Sequence, residues 1–409
     1  MLSSINPIQL DNILHRGVTD IIVESEFVRL LEKGKPLRLK MGFDPSRPDI
    51  HLGHAVGLRK LRELQDIGHQ VVLIVGDWTA QIGDPSGQSA TRQMLSAEEV
   101  RENAQTYLKQ FFKVVDKSKT ETVWQSEWFG KFTLDNVFDL TRRFTVAQFL
   151  ARDDFAKRYN SKQPIAITEL LYPLLQAYDS VAINSDVEFG GSDQRFNLLV
   201  GRDLQGMLGQ RQQQCFIMPL LVGTDGVQKM SKSLNNYIGV DEPPSDMYGK
   251  IMSIPDNVIM NYLELTTSTS KQDLEQINNE LQAESVNPMD IKKMLAKDIV
   301  SQFHDEASAR ESELTFVRTV QQGSEPEDVK TLLVRFATDS ENPSKSLTIN
   351  FVDLITTEKL ASSRSEAKRL ISQNAVSING VVSNTETNVV GPNDIIRVGR
   401  RRFLKIVEG

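Results

Sequence analysis

Apolar runs at residues 37–43 and 71–76 flank a helix-like stretch from His51 to Asp66 that Gly68 stops. Strand, helix and strand at this spacing form a βαβ unit, which predicts an α/β fold with a doubly wound parallel sheet. Between about residues 121 and 183 the pattern turns helical, and strand-like segments resume near Phe189 and over 216–222. This predicts a sheet domain over residues 1–242 with a helical insertion at 121–183. After Pro243-Pro244, polar sequence with helical character and no convincing strand runs to about Thr319, predicting an all-α domain over 243–322. Residues 323–346 place one apolar island between Pro-containing polar runs and read as a linker holding some helix. A small αβ module is expected over 347–409. Its amphipathic helix at 361–371 is capped by Ser362 or Ser363, and a strand at 375–378, an Asn379-Gly380 hairpin turn and two strands around Gly399 follow.

Composition narrows the class. With 409 residues, 39% hydrophobic and 25% charged, the chain reads as a soluble globular protein of two or three modules. A single cysteine, Cys215, excludes an intrachain disulfide framework and a Cys-based zinc site. The first residues lack signal- or transit-peptide character, and no run reaches about 18 apolar residues, so a cytoplasmic location without membrane contact is expected. The net charge of −7 argues against a nucleic-acid partner, but its distribution does not. Residues 348–409 carry nine Lys and Arg against six Asp and Glu, leaving −10 on the remainder: an acidic body with a basic tail module.

Two segments carry candidate chemistry. In Gly42-Phe43-Asp44-Pro45-Ser46-Arg47-Pro48-Asp49-Ile50-His51-Leu52-Gly53-His54, a strand ends in a Pro-bounded loop and the next helix opens on two histidines at i and i+3. They share a helix face, at a helix N-terminus whose free N–H groups and dipole attract phosphate. Imidazoles there can donate to phosphate oxygens as charge builds. Taken alone, the pair is equally well read as surface histidines. The second segment, Gln228-Lys229-Met230-Ser231-Lys232-Ser233, sets two lysines three apart among small hydroxyl residues, a basic clamp suited to a pyrophosphate leaving group. The two segments together favour a nucleotide site over a solvated loop.

His-Leu-Gly-His followed by Lys-Met-Ser-Lys-Ser resembles the paired signatures of class I aminoacyl-tRNA synthetases, and the whole chain is most similar to the bacterial tyrosyl-tRNA synthetases. The resemblance implies a Rossmann-like catalytic domain that joins L-tyrosine to ATP, then to tyrosine tRNA. It implies catalytic roles for His51, His54, Lys229, Lys232 and Arg92, with Mg²⁺ carried on ATP rather than in a dedicated protein site. Gly42, Asp44, His51, His54, Gly191, Asp193, Lys229, Lys232 and Ser233 would contact ATP. Asp84, in Ile82-Gly83-Asp84-Pro85-Ser86-Gly87, would receive the tyrosine ammonium with Tyr172 and Gln176, while Asp179 accepts from the phenol and Gln194 lies near the substrate. Tyr172, Gln176 and Asp179 fall at i, i+4 and i+7 of one helix, a stripe able to line a pocket. The resemblance further implies a homodimer through the insertion, a tRNA-binding helical domain, and an S4-like RNA-binding module using Arg364, Lys368, Arg369, Arg400 and Arg401. Three positions depart from the family pattern: Lys40 stands where a tyrosine is frequent, Arg195 replaces an aromatic residue, and Gln88 replaces a lysine found in some members. A tryptophan-specific relative, a small-molecule nucleotidyltransferase and a noncatalytic RNA-binding protein are the rival readings. Asp179 and the tail module count against the first, the additional modules against the second, and the two intact signatures against the third.

Overall fold

Six strands, β1 (Asp20–Ile22), β2 (Arg38–Phe43), β3 (Gln70–Val75), β4 (Thr120–Trp124), β5 (Val187–Gly191) and β6 (Gln214–Met218), form one sheet in the order β1-β6-β5-β2-β3-β4. All neighbours run parallel except β1, which pairs antiparallel with β6 at the edge. Central strands read as continuous apolar runs because both faces are covered: Val71 to Val75 and the whole of β6 are buried. The computed structural model describes residues 5–46, 49–85, 95–321, 329–336, 346–361, 363–399 and 402–409. The chain divides into two compact units, Met1–Asp305 and Glu306–Gly409.

In the first unit the helices are α1 (Pro7–His15), α2 (Glu24–Glu32), α3 (Leu52–Asp66), α4 (Thr79–Ile82), α5 (Ala97–Phe111), α6 (Ser126–Phe129), α7 (Leu134–Thr141), α8 (Val146–Leu150), α9 (Asp153–Asn160), α10 (Ile167–Ala182), α11 (Arg195–Met207), α12 (Pro244–Met252), α13 (Ile259–Thr266), α14 (Lys271–Gln282) and α15 (Pro288–Phe303). Helix α3 buries Leu52, Ala55, Val56, Leu58, Leu61 and Leu64, the stripe that makes a βαβ crossover pack on its sheet. Sequence order runs β2, β3, β4 to one side and β5, β6 to the other. Neighbouring β2 and β5 therefore define the switch point, where a crevice opens beyond the strands' carboxyl ends.

Two expectations need correction. Residues 121–124 are not the start of the helical insertion; they lie in β4, in register with β3 from Val71↔Thr120 to Val75↔Trp124. Thr-Glu-Thr-Val-Trp is a half-buried edge strand, too short for its alternation to stand out from the helices after it. In the 323–346 stretch the described residues 329–336 hold a strand: β7 (Lys330–Val334) pairs parallel with β13 (Arg402–Glu408), and Phe336 is buried just beyond it.

The second unit begins with α16 (Glu306–Phe316) and contains β7, β8 (Leu347–Asn350), α17 (Phe351–Thr357), α18 (Arg364–Ser372), β9 (Val376–Ile378), β10 (Val381–Val382), β11 (Thr387–Val390), β12 (Ile395–Val398) and β13. One sheet has the order β10-β9-β12-β13-β7, and β8 pairs with β11. Ser363 caps α18 by accepting from the Glu366 N–H, and Asn379 and Gly380 take the positive φ values, 49° and 83°, of a tight hairpin. Phe351, Ile355, Ile371, Val376, Ile396, Leu404 and Ile406 fill its core. Among the described residues, no helix is long and apolar enough to cross a membrane.

Candidate active site

At the switch point a cavity of about 540 Å³ collects side chains from distant parts of the sequence. Gly42, Asp44, His51, His54, Asp84, Tyr172, Gln176, Asp179, Gly191, Asp193, Gln194, Lys229, Lys232 and Ser233 all line it. Arg92 and Gln88 lie outside the described residues. Arg195 does not face the cavity; it pairs with Asp20 at the surface, 2.7 Å away.

At the end of β2, Asp44 accepts from the Thr79 hydroxyl at 2.6 Å and the Tyr172 hydroxyl at 2.8 Å. Gly76, closing β3, must be glycine, since a Cβ there would sit 2.3 Å from the Asp44 carboxylate and 2.4 Å from the Thr79 hydroxyl. The loop then delivers the chain to His51, the N-cap of α3. The His51 and His54 rings lie 3.9 Å apart, and the His51 N–H donates to His54 Nδ1 at 3.3 Å. An accepting Nδ1 leaves the His54 proton on Nε2, the tautomer of a neutral donor. Burial, reinforced by Lys232, depresses His54 to about 3, and burial with the His54, Lys232 and Lys229 charges holds His51 well below its ordinary value. Both are therefore neutral imidazoles at pH 7.

The lysine segment is held from two sides. Lys229 Nζ pairs with Asp193 at 2.8 Å, while Lys232 Nζ donates to the Tyr107 hydroxyl at 2.7 Å and lies 4.6 Å from that ring's centroid. Asn236 organises the loop: its amide donates to Asp225 at 2.7 Å and to the Lys229 carbonyl at 3.1 Å, and its oxygen accepts from the Ser231 N–H at 2.8 Å. Gly223 makes room for that amide, because a Cβ there would come within 2.2 Å of it.

At the cavity's other end, Gln194 donates to Asp84 at 2.6 Å and Gln176 donates to Glu188 at 3.1 Å. Asp179 is buried and accepts from Gln125 at 2.9 Å and the Trp128 indole at 3.2 Å. Burial pushes its carboxyl up to about 7, against the opposing pull of Lys40. Sequence reasoning missed Tyr107, Gln125, Trp128, Glu188 and Asn236. Only Asn236 carried a local signal, since it closely follows the lysine segment. Among the described residues, no three His, Cys, Asp or Glu side chains converge as a metal site.

In the second unit, Arg364 pairs with Asp353, Lys368 with Glu386 at 3.1 Å, and Arg402 with Glu366 at 3.5 Å. Arg369 is exposed, and Arg400 and Arg401 lie outside the described residues. Exposed pairs of this kind are worth at most about 1 kcal/mol, so phosphate can displace them.

Buried neutral histidines give a pH signature. His69 is buried, its Nδ1 accepts from the Leu37 N–H at 3.1 Å, and burial lowers it to about 4. In the unfolded chain it binds a proton near pH 6.5, as do His51 and His54. Stability is thus fully present above pH 6.5 and is lost as pH falls toward 4 and then 3. Urea midpoints should fall across that range, less steeply in His69→Gln; equal slopes for the two chains would contradict this assignment.

Comparison with known proteins extends the geometry. Residues 32–321 match the family of class I tRNA synthetases for tryptophan and tyrosine, and residues 352–396 match the S4 domain. Over 98% of both chains the protein is 57% identical to a tyrosine–tRNA ligase of Dehalococcoides mccartyi, and over 97% of both it is 49% identical to one of Thermotoga maritima. A solved structure of similar fold is the tyrosyl-tRNA synthetase of Archaeoglobus fulgidus complexed with L-tyrosine. It aligns with a TM-score of 0.60 and 25% identity over 74% of this chain and 98% of that one. Near-full-length identity at this level reaches past the class to the branch, and the chain belongs to the tyrosyl-tRNA synthetases of class I.

Proposed function

We propose that this protein activates L-tyrosine with ATP, releasing pyrophosphate, and transfers tyrosine from the adenylate to the 3′-terminal adenosine of tyrosine tRNA. The observation that carries this reading is that the Tyr172, Gln176 and Asp179 stripe shares one cavity with the histidine pair and the lysine clamp. No protein nucleophile is needed. The tyrosine carboxylate attacks the α-phosphorus, the bond to the bridging oxygen breaks, and pyrophosphate departs with the electron pair. In the second step a ribose hydroxyl of the tRNA attacks the tyrosyl carbonyl and AMP leaves.

Neutral His51 and His54 donate to phosphate oxygens, while Lys229, Lys232 and, by family resemblance, Arg92 neutralise the departing pyrophosphate. Gly191 and Asp193 take the ribose. Because Asp193 also holds Lys229, ATP binding exchanges that ion pair for contacts to ribose and phosphate. The clamp offers cations rather than carboxylates, so Mg²⁺ fits as an ion carried on the phosphate oxygens, where it adds positive charge. Asp84, Tyr172 and Gln176 hold the ammonium, with Gln194 beside it, and Asp179 accepts from the phenol.

Leu134, Phe138, Val146, Tyr159 and Ile167 are exposed on successive helices of the insertion, apolar surface that a second copy of the chain would cover. We accordingly read the protein as a homodimer and, by family resemblance, as cytoplasmic. Its catalytic domain is assigned to 1–242, tRNA contacts to the helices of 243–322, and further RNA binding to the S4 module at 347–409, whose sheet β7 extends. Replacing Arg364, Lys368 and Arg369 together by alanine should lower tyrosine transfer to tRNA about tenfold or more at 150 mM salt, with less effect at low salt, while tyrosine-dependent pyrophosphate exchange stays unchanged. Equal loss in both assays, or loss in neither, would remove the S4 module from RNA binding.

A further inference from the structure

Lys40 has no side-chain exposure, yet it carries a charge that is costly to bury unless paired and fully hydrogen-bonded. It meets that demand. Strands β2 and β5 put Lys40 and Glu188 in register, and Nζ lies 2.9 Å from Glu188 Oε1, 2.8 Å from the Gln176 carbonyl and 2.7 Å from Ser180 Oγ, one acceptor for each N–H. Glu188 is as deeply buried and also accepts from the Gln176 amide, the Ser180 hydroxyl and the Gln213 amide. The pair thus grips α10 at both Gln176 and Ser180, on either side of Asp179.

We infer that the buried Lys40–Glu188 pair is a positioning element for tyrosine specificity, orienting the Gln176 amide and supplying the countercharge under which Asp179 meets the phenol as an anion. This rests on the tyrosine-site reading given above. The other ionisable groups near Asp179 are Tyr172 on its own helix and, acting on Tyr172, Asp44 and Asp84. Gln125 and Trp128, which reach Asp179 from the β4 end and α6, are uncharged. Among the described residues, Lys40 supplies the positive charge acting on Asp179, and Glu188 opposes it more weakly.

The test is the pH dependence of kcat/KM for tyrosine in pyrophosphate exchange between pH 5.5 and 9, with tyrosine KM, ATP KM and melting temperature recorded for each variant. Glu188→Gln removes the opposing anion while the Gln176 carbonyl, the Ser180 hydroxyl and the new amide oxygen still accept from the ammonium, so the midpoint moves to lower pH. The near-isosteric double variant Lys40→Met/Glu188→Gln removes the stronger partner as well, so the midpoint moves to higher pH. Its tyrosine KM at pH 7 rises about tenfold, with ATP KM within twofold of the unmodified chain. A merely structural pair would shift neither midpoint, or both in one direction, and either result overturns the inference. Should the double variant not fold, Glu188→Gln decides alone, and an unmoved or raised midpoint is the contradicting result. Asp179→Asn is run in parallel: no change in its tyrosine KM or pH profile defeats the tyrosine-site reading, whereas a change there without the opposed shifts defeats only the role of the pair.

Discussion

Replacing Lys232 by alanine is expected to lower kcat for adenylate formation by about 10²- to 10³-fold while leaving tyrosine KM nearly unchanged. The magnitude is that of removing one preorganised donor from a site of developing charge, about 3–4 kcal/mol. The split between the constants follows from where that charge appears. Lys232 lines the cavity beside the neutral histidines, held by the Tyr107 hydroxyl and ring face. Pyrophosphate gains its full charge only as the α-phosphate bond breaks, so the lysine stabilises the transition state far more than bound tyrosine. Loss of such an interaction appears in kcat and kcat/KM together. Pre-steady-state adenylate formation with saturating ATP measures it. A large rise in tyrosine KM with normal kcat would show that Lys232 serves substrate binding instead.

Asp179→Asn is expected to reduce the preference for tyrosine over phenylalanine by at least about 10²-fold. A site built to bond a substrate hydroxyl rejects the analogue lacking it by roughly 10⁴- to 10⁵-fold, an asymmetry for which tyrosyl-tRNA synthetases are themselves the reference case. The cause is the buried acceptor that phenylalanine leaves unpaired. In this cavity Asp179 already accepts from Gln125 and Trp128. Gln125 reaches one carboxylate oxygen and Trp128 the other, so an asparagine sets its amide against one of these donors and forfeits one of the two acceptors that the phenol site is built on. Comparing kcat/KM for the two amino acids tests this, and an unchanged ratio would take Asp179 out of the recognition of the hydroxyl.

The parts of this site that were legible in the sequence are local ones. A helix opening on His51 and His54 and a loop with Lys229 and Lys232 announce their chemistry within a few residues, and the βαβ unit that carries the first is a strong periodic signal. Family resemblance supplied the rest of the cavity's proposed cast. Strand β4 escaped because five half-buried residues of mixed polarity lead straight into helices, and β7 because a short apolar island between polar runs looks like a linker. Gln125, Trp128, Tyr107 and Glu188 escaped for a different reason. Each is an unremarkable residue in its own segment and acquires a role only when the fold sets the β4 end, α5, α6 and β5 against Asp179, Lys232 and Gln176. Lys40 stood out in the sequence as a departure, but its meaning depends on the β2–β5 register that brings Glu188 beside it.

The measurement that tests the central claim most directly is exchange of labelled pyrophosphate into ATP, run separately with each of the twenty amino acids in the presence of Mg²⁺. The account predicts exchange with tyrosine alone. Exchange with tryptophan or another amino acid in its place would keep the reaction and contradict the substrate, and no exchange with any amino acid would contradict a catalytic role for the cavity.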